Sequence, residues 1–171
     1  SAGTVYFREP RKLLICTGPP YHEEKDPEMA AVIRDFSGKK IIMGATTADV
    51  VARELELEIE DEMDLRDSDL PPIAHMPGVE LITEGILTLA KVEEILKKYH
   101  PNIDLGNGPA DEVVKLIRES DEIKIIIGTR VNVAHQDPNL PVELEIRRTV
   151  VKRIAGLLEE KMLKKVNVGY I

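Results

Sequence analysis

KKIIMGATTADVVAREL, residues 39–55, changes its hydrophobic period halfway along. Its opening, KKIIM (39–43), is a short apolar run, too brief for a helix and suited to a buried strand. From Thr47 to Leu55 the apolar residues recur at helical spacing, with Val50, Val51 and Leu55 on one face. Gly44-Ala45-Thr46-Thr47 is the junction. That turn admits two readings. Its glycine, hydroxyls and free helix N–H groups can cradle an anion. Equally, Thr46 or Thr47 can serve only as a helix N-cap. The turn lacks the lysine of a Walker loop and the third glycine of a dinucleotide fingerprint.

The same alternation of strand and helix extends in both directions. KLLIC (12–16) is another short apolar run, followed by the proline-rich loop TGPPYHEEKD (17–26). Asp26-Pro27-Glu28 fits an N-cap, a first-turn proline and a first-turn acid. The helix it opens, PEMAAVIRDF (27–36), places Met29, Val32, Ile33 and Phe36 together, and Gly38 ends it. LELEIE (55–60) alternates with period two, as a half-exposed edge strand does. Residues 61–77 are acidic and punctuated by prolines, and read as a loop. VELIT (79–83) reads as a strand, and TLAKVEEILKKY (88–99) and PADEVVKLIRES (109–120) as helices. IKIII (123–127) is the most apolar strand and is expected at the sheet centre. VELEIRRTVVKRIAGLLEEKML (142–163) is a long helix with Ile146, Val150, Val151, Ile154, Leu157, Leu158 and Met162 inward. VNVGY (166–170) is a last strand. Together these elements predict a Rossmann-like three-layer α/β/α sandwich with a mostly parallel sheet, one domain over residues 4–171. Ser1-Ala2-Gly3 reads as a cloning remnant outside it.

Composition narrows the function classes. The chain has 171 residues, 43% hydrophobic and 32% charged, which is globular rather than disordered. Its formal net charge of −8 and 4% aromatic content argue against nucleic acid, which needs a basic stripe or stacking rings. No apolar run approaches a membrane span. The single cysteine, Cys16, lies inside a strand and reads as inert packing. The absence of a disulfide framework and of a signal peptide pattern points to the cytoplasm. Gln136 is the only glutamine among many Glu, Lys and Arg, a lean towards a thermophilic source.

Four strands end alike, in Thr17-Gly18, in Gly44 to Thr47, in Thr83-Glu84-Gly85, and in Gly128-Thr129-Arg130. In a parallel sheet these ends share one edge, where open α/β sheets bind ligands. The following loop, GTRVNVAHQDPNLP (128–141), adds Asn132, His135, Gln136 and Asp137. Arg130 can hold a phosphate or carboxylate bidentately. His135 can act as an acid or base, or bind a metal. The candidate ligand site is therefore Thr17, Gly18, Gly44, Ala45, Thr46, Thr47, Glu84, Gly85, Gly128, Thr129, Arg130, Asn132 and His135. His22 and Asp26 have a spacing that can hold a metal, although a solvated loop accounts for them too. His75 can fold over the edge as a lid. EIEDEMDLRDSD (58–69) reads as a solvated acidic loop without the glycine and terminal glutamate of a calcium loop.

Four segments, VYFREPRKLLICTGPP, GKKIIMGATTADVVAREL, GVELITEGILTLAKVEEIL and NLPVELEIRRTVVKRIAGLLEEK, taken together resemble one known arrangement. It is the region after the catalytic domain in bacterial members of the stage II sporulation protein E family, metal-dependent type-2C-like serine/threonine phosphatases. The resemblance runs from Val5 to Ile171. It implies that TVYF is the tail of a catalytic-domain strand and that the chain is a C-terminal fragment. It also implies that the metal-binding aspartates belong to the domain upstream, so no catalytic residue and no metal ligand is placed here.

The leading expectation is a non-catalytic accessory domain of such a phosphatase, binding a small anion such as a nucleotide or other phosphorylated metabolite. Its partners would be the upstream catalytic domain and the ligand. A scaffold or homo-oligomerisation domain without a ligand is the second reading. An independent enzyme using His135, Arg130 and Glu84 on a phosphorylated or carboxylated substrate is the third.

Overall fold

Leu13, Leu14, Ile15 and Cys16 are all at most 3% exposed, so the first strand is covered on both faces. A strand buried twice has no reason to alternate, and its sequence does not. The computed structural model, which describes residues 1–62, 69–130 and 140–171, places this strand inside a seven-stranded sheet. The strands are β1 (Lys12–Thr17), β2 (Lys39–Met43), β3 (Glu60–Asp61), β4 (Ala74–Met76), β5 (Val79–Thr83), β6 (Glu122–Ile127) and β7 (Lys165–Tyr170). Their spatial order is β3-β4-β5-β2-β1-β6-β7. The five strands from β5 to β7 run parallel, while β3 and β4 add an antiparallel margin.

Two helices, α1 (Asp26–Asp35) and α2 (Ala45–Leu55), cover one face. The helices α3 (Ile86–Lys97), α4 (Pro109–Arg118) and α5 (Leu140–Met162) cover the other. The strand side chains divide between these layers by period two. Leu13, Ile15, Ile41, Met43, Ile123, Ile125 and Ile127 meet α3, α4 and α5. Leu14, Cys16, Ile42 and Ile126 meet α1 and α2. Each such side chain contributes ~1.5–3 kcal/mol through burial, so both layers are needed to hold the sheet. The result is a Rossmann-like three-layer α/β/α sandwich, as the sequence predicts.

The crossovers define the useful edge. From β1 the chain moves through α1 to β2 and through α2 towards β5, always to one side. It then returns through α3 and α4 to β6, on the other side of β1, and through α5 to β7. The order therefore reverses between β1 and β6, the switch point of a doubly wound sheet.

Several expectations need correction. LELEIE is not a strand over 55–60: α2 continues to Leu55, Glu56 turns left-handed at φ 53°, and only Glu60 and Asp61 pair. Leu57 and Ile59 still pack on the core, which explains the alternation. The loop expected over 61–77 contains β4, because Ala74 and Met76 pair with β5. β6 is interior but flanked by β1 and β7, and β2 holds the middle place. A 3₁₀ turn at Glu23–Lys25 interrupts the first loop, and its end displaces the cap of α1 from Asp26 to Lys25. In α5, Ile146 faces outward at 41% exposure, and Arg147 takes the neighbouring half-buried place. No helix among the described residues is long and apolar enough to cross a membrane.

Candidate functional site

The sheet register sets the site. Thr17 pairs with Met43 and with Ile127, and Met43 pairs with Thr83. The next residues, Gly128, Gly18, Gly44 and Glu84, therefore stand side by side across four strands at the carboxyl edge.

Gly18 and Gly128 touch through their backbones. A Cβ on Gly128 would lie 2.0 Å from the Gly18 carbonyl oxygen and 2.2 Å from that of Pro19. Gly18 has φ +83°, and a Cβ there would meet the Gly128 oxygen at 2.6 Å. Glycine is required at both places to let β1 and β6 continue side by side past their last paired residues.

Most of the backbone donors expected to face a ligand turn inward instead. The Gly44 N–H donates to the Thr83 oxygen at 2.8 Å, and the Gly128 N–H to the Thr17 oxygen at 2.9 Å. The Thr129 N–H and hydroxyl both donate to the Ile171 oxygen, and the Arg130 N–H donates to the Pro19 oxygen. These bonds extend the parallel ladder beyond the strands. Glu84 occupies the start of α3: its Oε2 accepts from the N–H groups of Leu87 at 3.0 Å and Thr88 at 3.3 Å. Gly85 is the N-cap of that helix and lies against Gly44.

The start of α2 differs. Gly44 is its N-cap at φ +130°, with no side-chain cap. Thr46 is exposed and Thr47 is buried, and neither caps the helix, which corrects the cap reading of the turn. The N–H groups of Ala45, Thr46 and Thr47 meet no acceptor among the described residues. The positive end of α2 thus meets no acceptor among the described residues at the edge.

Arg130 is committed elsewhere. Its guanidinium bonds to the Asp26 carboxylate, which is 1% exposed and also bonded by Arg53 at 2.8 Å. Asp26 therefore joins α1, α2 and the end of β6, and is neither an N-cap nor free for a metal. Asn132 and His135 lie outside the described residues, as do Gln136 and Asp137. His75 is fixed in β4, with its Nε2 2.8 Å from Glu62 Oε2, so it is no lid. His22 stacks edge-on against Tyr21. Among the described residues no group of three or more His, Cys, Asp or Glu can hold a metal ion.

One residue absent from the sequence-based site stands at its centre. Arg147, on the second turn of α5, lays its guanidinium over Gly18: a Cβ there would be 2.8 Å from Nη1. Its Nε is buried and has no partner among the described residues. Burial pulls its pKa down, while Glu143 and Glu84 act through space to raise it. The hydroxyls of Thr17 at the end of β1 and Thr88 in the first turn of α3, and Nε of Arg130 after β6, are also buried without a partner among the described residues. Unpaired buried polar atoms are rare, and four at one edge call for an explanation. The signal for Arg147 was its place in the helix. It lies three, four and seven residues before Val150, Val151 and Ile154, on their apolar stripe.

The opposite edge carries an open groove of about 490 Å³, lined by Pro10, Arg11, Gly38, Lys39 and Glu119 among others. Two of its cations are already matched, Lys39 to Glu119 at 2.8 Å and Arg11 to Asp121 at 3.3 Å. Buried polar atoms without partners lie instead at Thr17, Thr88, Arg130 and Arg147, so the carboxyl edge is the better candidate.

Comparison of the chain with protein-family models, with characterised proteins and with solved structures gives no match.

Proposed function

We propose that this chain is an accessory domain that binds a small anionic ligand at the carboxyl edge of its sheet, at the β1/β6 switch point. The resemblance to the sporulation-E-like phosphatases extends the proposal: a cytoplasmic regulatory domain, itself non-catalytic, answering to a ligand on behalf of a catalytic domain. The observation that carries the binding reading is Arg147. A half-buried guanidinium laid on a glycine, with Nε unpartnered, is a costly arrangement that an incoming carboxylate or phosphate relieves. The open start of α2, on the neighbouring strand, adds N–H donors and a favourable dipole.

The scaffold reading draws support from the inward-turned amides of Gly128, Thr129 and Arg130, which serve the fold alone. The enzyme reading loses its cation, because Arg130 is held by Asp26.

The test is thermal unfolding in sulfate, phosphate and phosphorylated metabolites, for the wild type and Arg147→Met. A ligand at 100 times its Kd stabilises the folded state by ~2.7 kcal/mol. The expected result is a saturable gain in the wild type that Arg147→Met abolishes. Equal gains in both proteins, or none in either, would leave the scaffold reading in its place.

A further inference from the structure

The edge is not uniformly positive, and that restricts what can bind. Glu84 directly follows β5, two strand positions from Gly18 and the guanidinium above it. Neighbouring strands are ~4.8 Å apart, so the two backbones are separated by about 10 Å. Each side chain can close part of that distance. No ion pair joins these two described residues, yet Glu84 acts on Arg147 through space. Glu84 spends only Oε2 on the α3 amides, and Oε1 makes no bond among the described residues. Thr17, directly before Gly18, and Thr88, whose N–H donates to Glu84, carry buried hydroxyls with no partner among the described residues.

Building on the binding reading above, we infer that the site selects an anion that also carries hydrogen-bond donors. Its anionic group sits on Arg147, and its hydroxyl or ammonium groups face Glu84 Oε1. A carboxylate accepts hydrogen bonds and donates none. It therefore welcomes hydroxyls or an ammonium and repels a second negative charge. Small hydroxylated phosphates and zwitterions of the amino-acid kind share this chemistry. Inorganic phosphate satisfies only the Arg147 end and should bind more weakly, and a nucleoside triphosphate brings excess charge towards Glu84.

The experiment compares ligands matched in their anionic group and differing in a hydroxyl or an ammonium, by calorimetry and thermal shift. Glycerol 3-phosphate is matched with propyl phosphate, and L-glutamate with glutarate. Glu84→Gln is the informative variant, because its amide oxygen still caps Leu87 and Thr88 while the charge is gone. The wild type should prefer one donor-bearing member by at least about tenfold, in keeping with sites built to pair a substrate's polar groups. Preference in the first pair identifies a hydroxylated anion, and in the second a zwitterion. Glu84→Gln should bring each pair within about threefold and bind the donor-free member at least as well as before. If both members bind equally to the wild type in an Arg147-dependent manner, the selectivity is overturned and anion binding stands. If nothing binds the wild type, both are overturned.

Discussion

A Cβ placed on Gly128 would fall 2.0 Å from the carbonyl oxygen of Gly18, closer than any real contact allows. The obstruction is backbone on both sides, so no side chain can swing aside. Gly128→Ala should therefore destabilise the fold by about 3 kcal/mol, the upper range for overpacking, or prevent folding. Gly156 provides the control. It sits in α5, and a Cβ added to it would meet nothing within 4 Å, so Gly156→Ala should stabilise by ~0.5–1 kcal/mol. Urea denaturation of both variants checks the pair.

Arg147 makes a prediction that requires no ligand. Its guanidinium is desolvated, and its Nε has no partner. Arg147→Met keeps the apolar stem and removes the charge. Baseline stability should rise by on the order of 1 kcal/mol, because an uncompensated charge leaves the interior. A fall of that size in chemical denaturation would mean that Arg147 is a structural tie.

Asp26 is the reverse case. It is 1% exposed and accepts from Arg130 and Arg53. Arg53 is largely exposed, so its arm contributes little. The Arg130 arm is buried, with a side chain 19% exposed. Asp26→Ala should cost on the order of 3 kcal/mol by leaving that cation unpaired. Arg53→Ala should cost less than about 1 kcal/mol. Equilibrium denaturation separates them, and equal losses would contradict this division.

These residues also mark where the sequence was legible. KLLIC, KKIIM, VELIT and IKIII announced strands because a buried strand needs only a local apolar run, and right-handed crossovers then left few orders to choose from. Ala74-His75-Met76 carried no such signal. Three residues after two prolines become a strand because β5 offers them a partner, which is a tertiary fact. The row of glycines was visible, but the direction of their N–H groups was not. The Gly44 amide is used by Thr83 on another strand, 39 residues along the chain. Arg147 was hidden by composition. Within IRRTVVKR it looks like one charge of an exposed face, and only its three- and four-residue spacing from buried valines sets it apart.

Cys16 should be chemically silent in the folded protein. Its thiol is fully buried in β1, and burial pushes its pKa up to about 12. The thiolate is the reactive form, so at about pH 8 almost none is present. Titration with a thiol reagent should give no reaction under native conditions and one equivalent in denaturant. Fast native labelling would mean that β1 opens readily, against its position deep in the sheet.

The last prediction concerns acid. Asp121, at the start of β6, accepts from the guanidinium of Arg8, from the Arg11 N–H at 2.7 Å and from the Arg11 side chain at 3.3 Å. These partners, led by Arg8, hold its carboxyl well below the usual range. A carboxyl depressed in the folded state stabilises the protein above its unfolded pKa of ~3.9, and that contribution disappears as pH falls through the folded value. Asp121→Asn should therefore be less stable than the wild type at about pH 7, and the gap should narrow only below about pH 4. The carboxylate and Arg8 are partly exposed, at 30% and 38%, so solvent screens the pair and the gap should also shrink in about 1 M salt, where charges are screened beyond ~3 Å. Urea denaturation of the two proteins from about pH 3 to pH 8 measures it. A gap that stays constant across that range would show that Asp121 acts as a neutral hydrogen-bond acceptor, and the Arg8 and Arg11 contacts would then contribute nothing through charge.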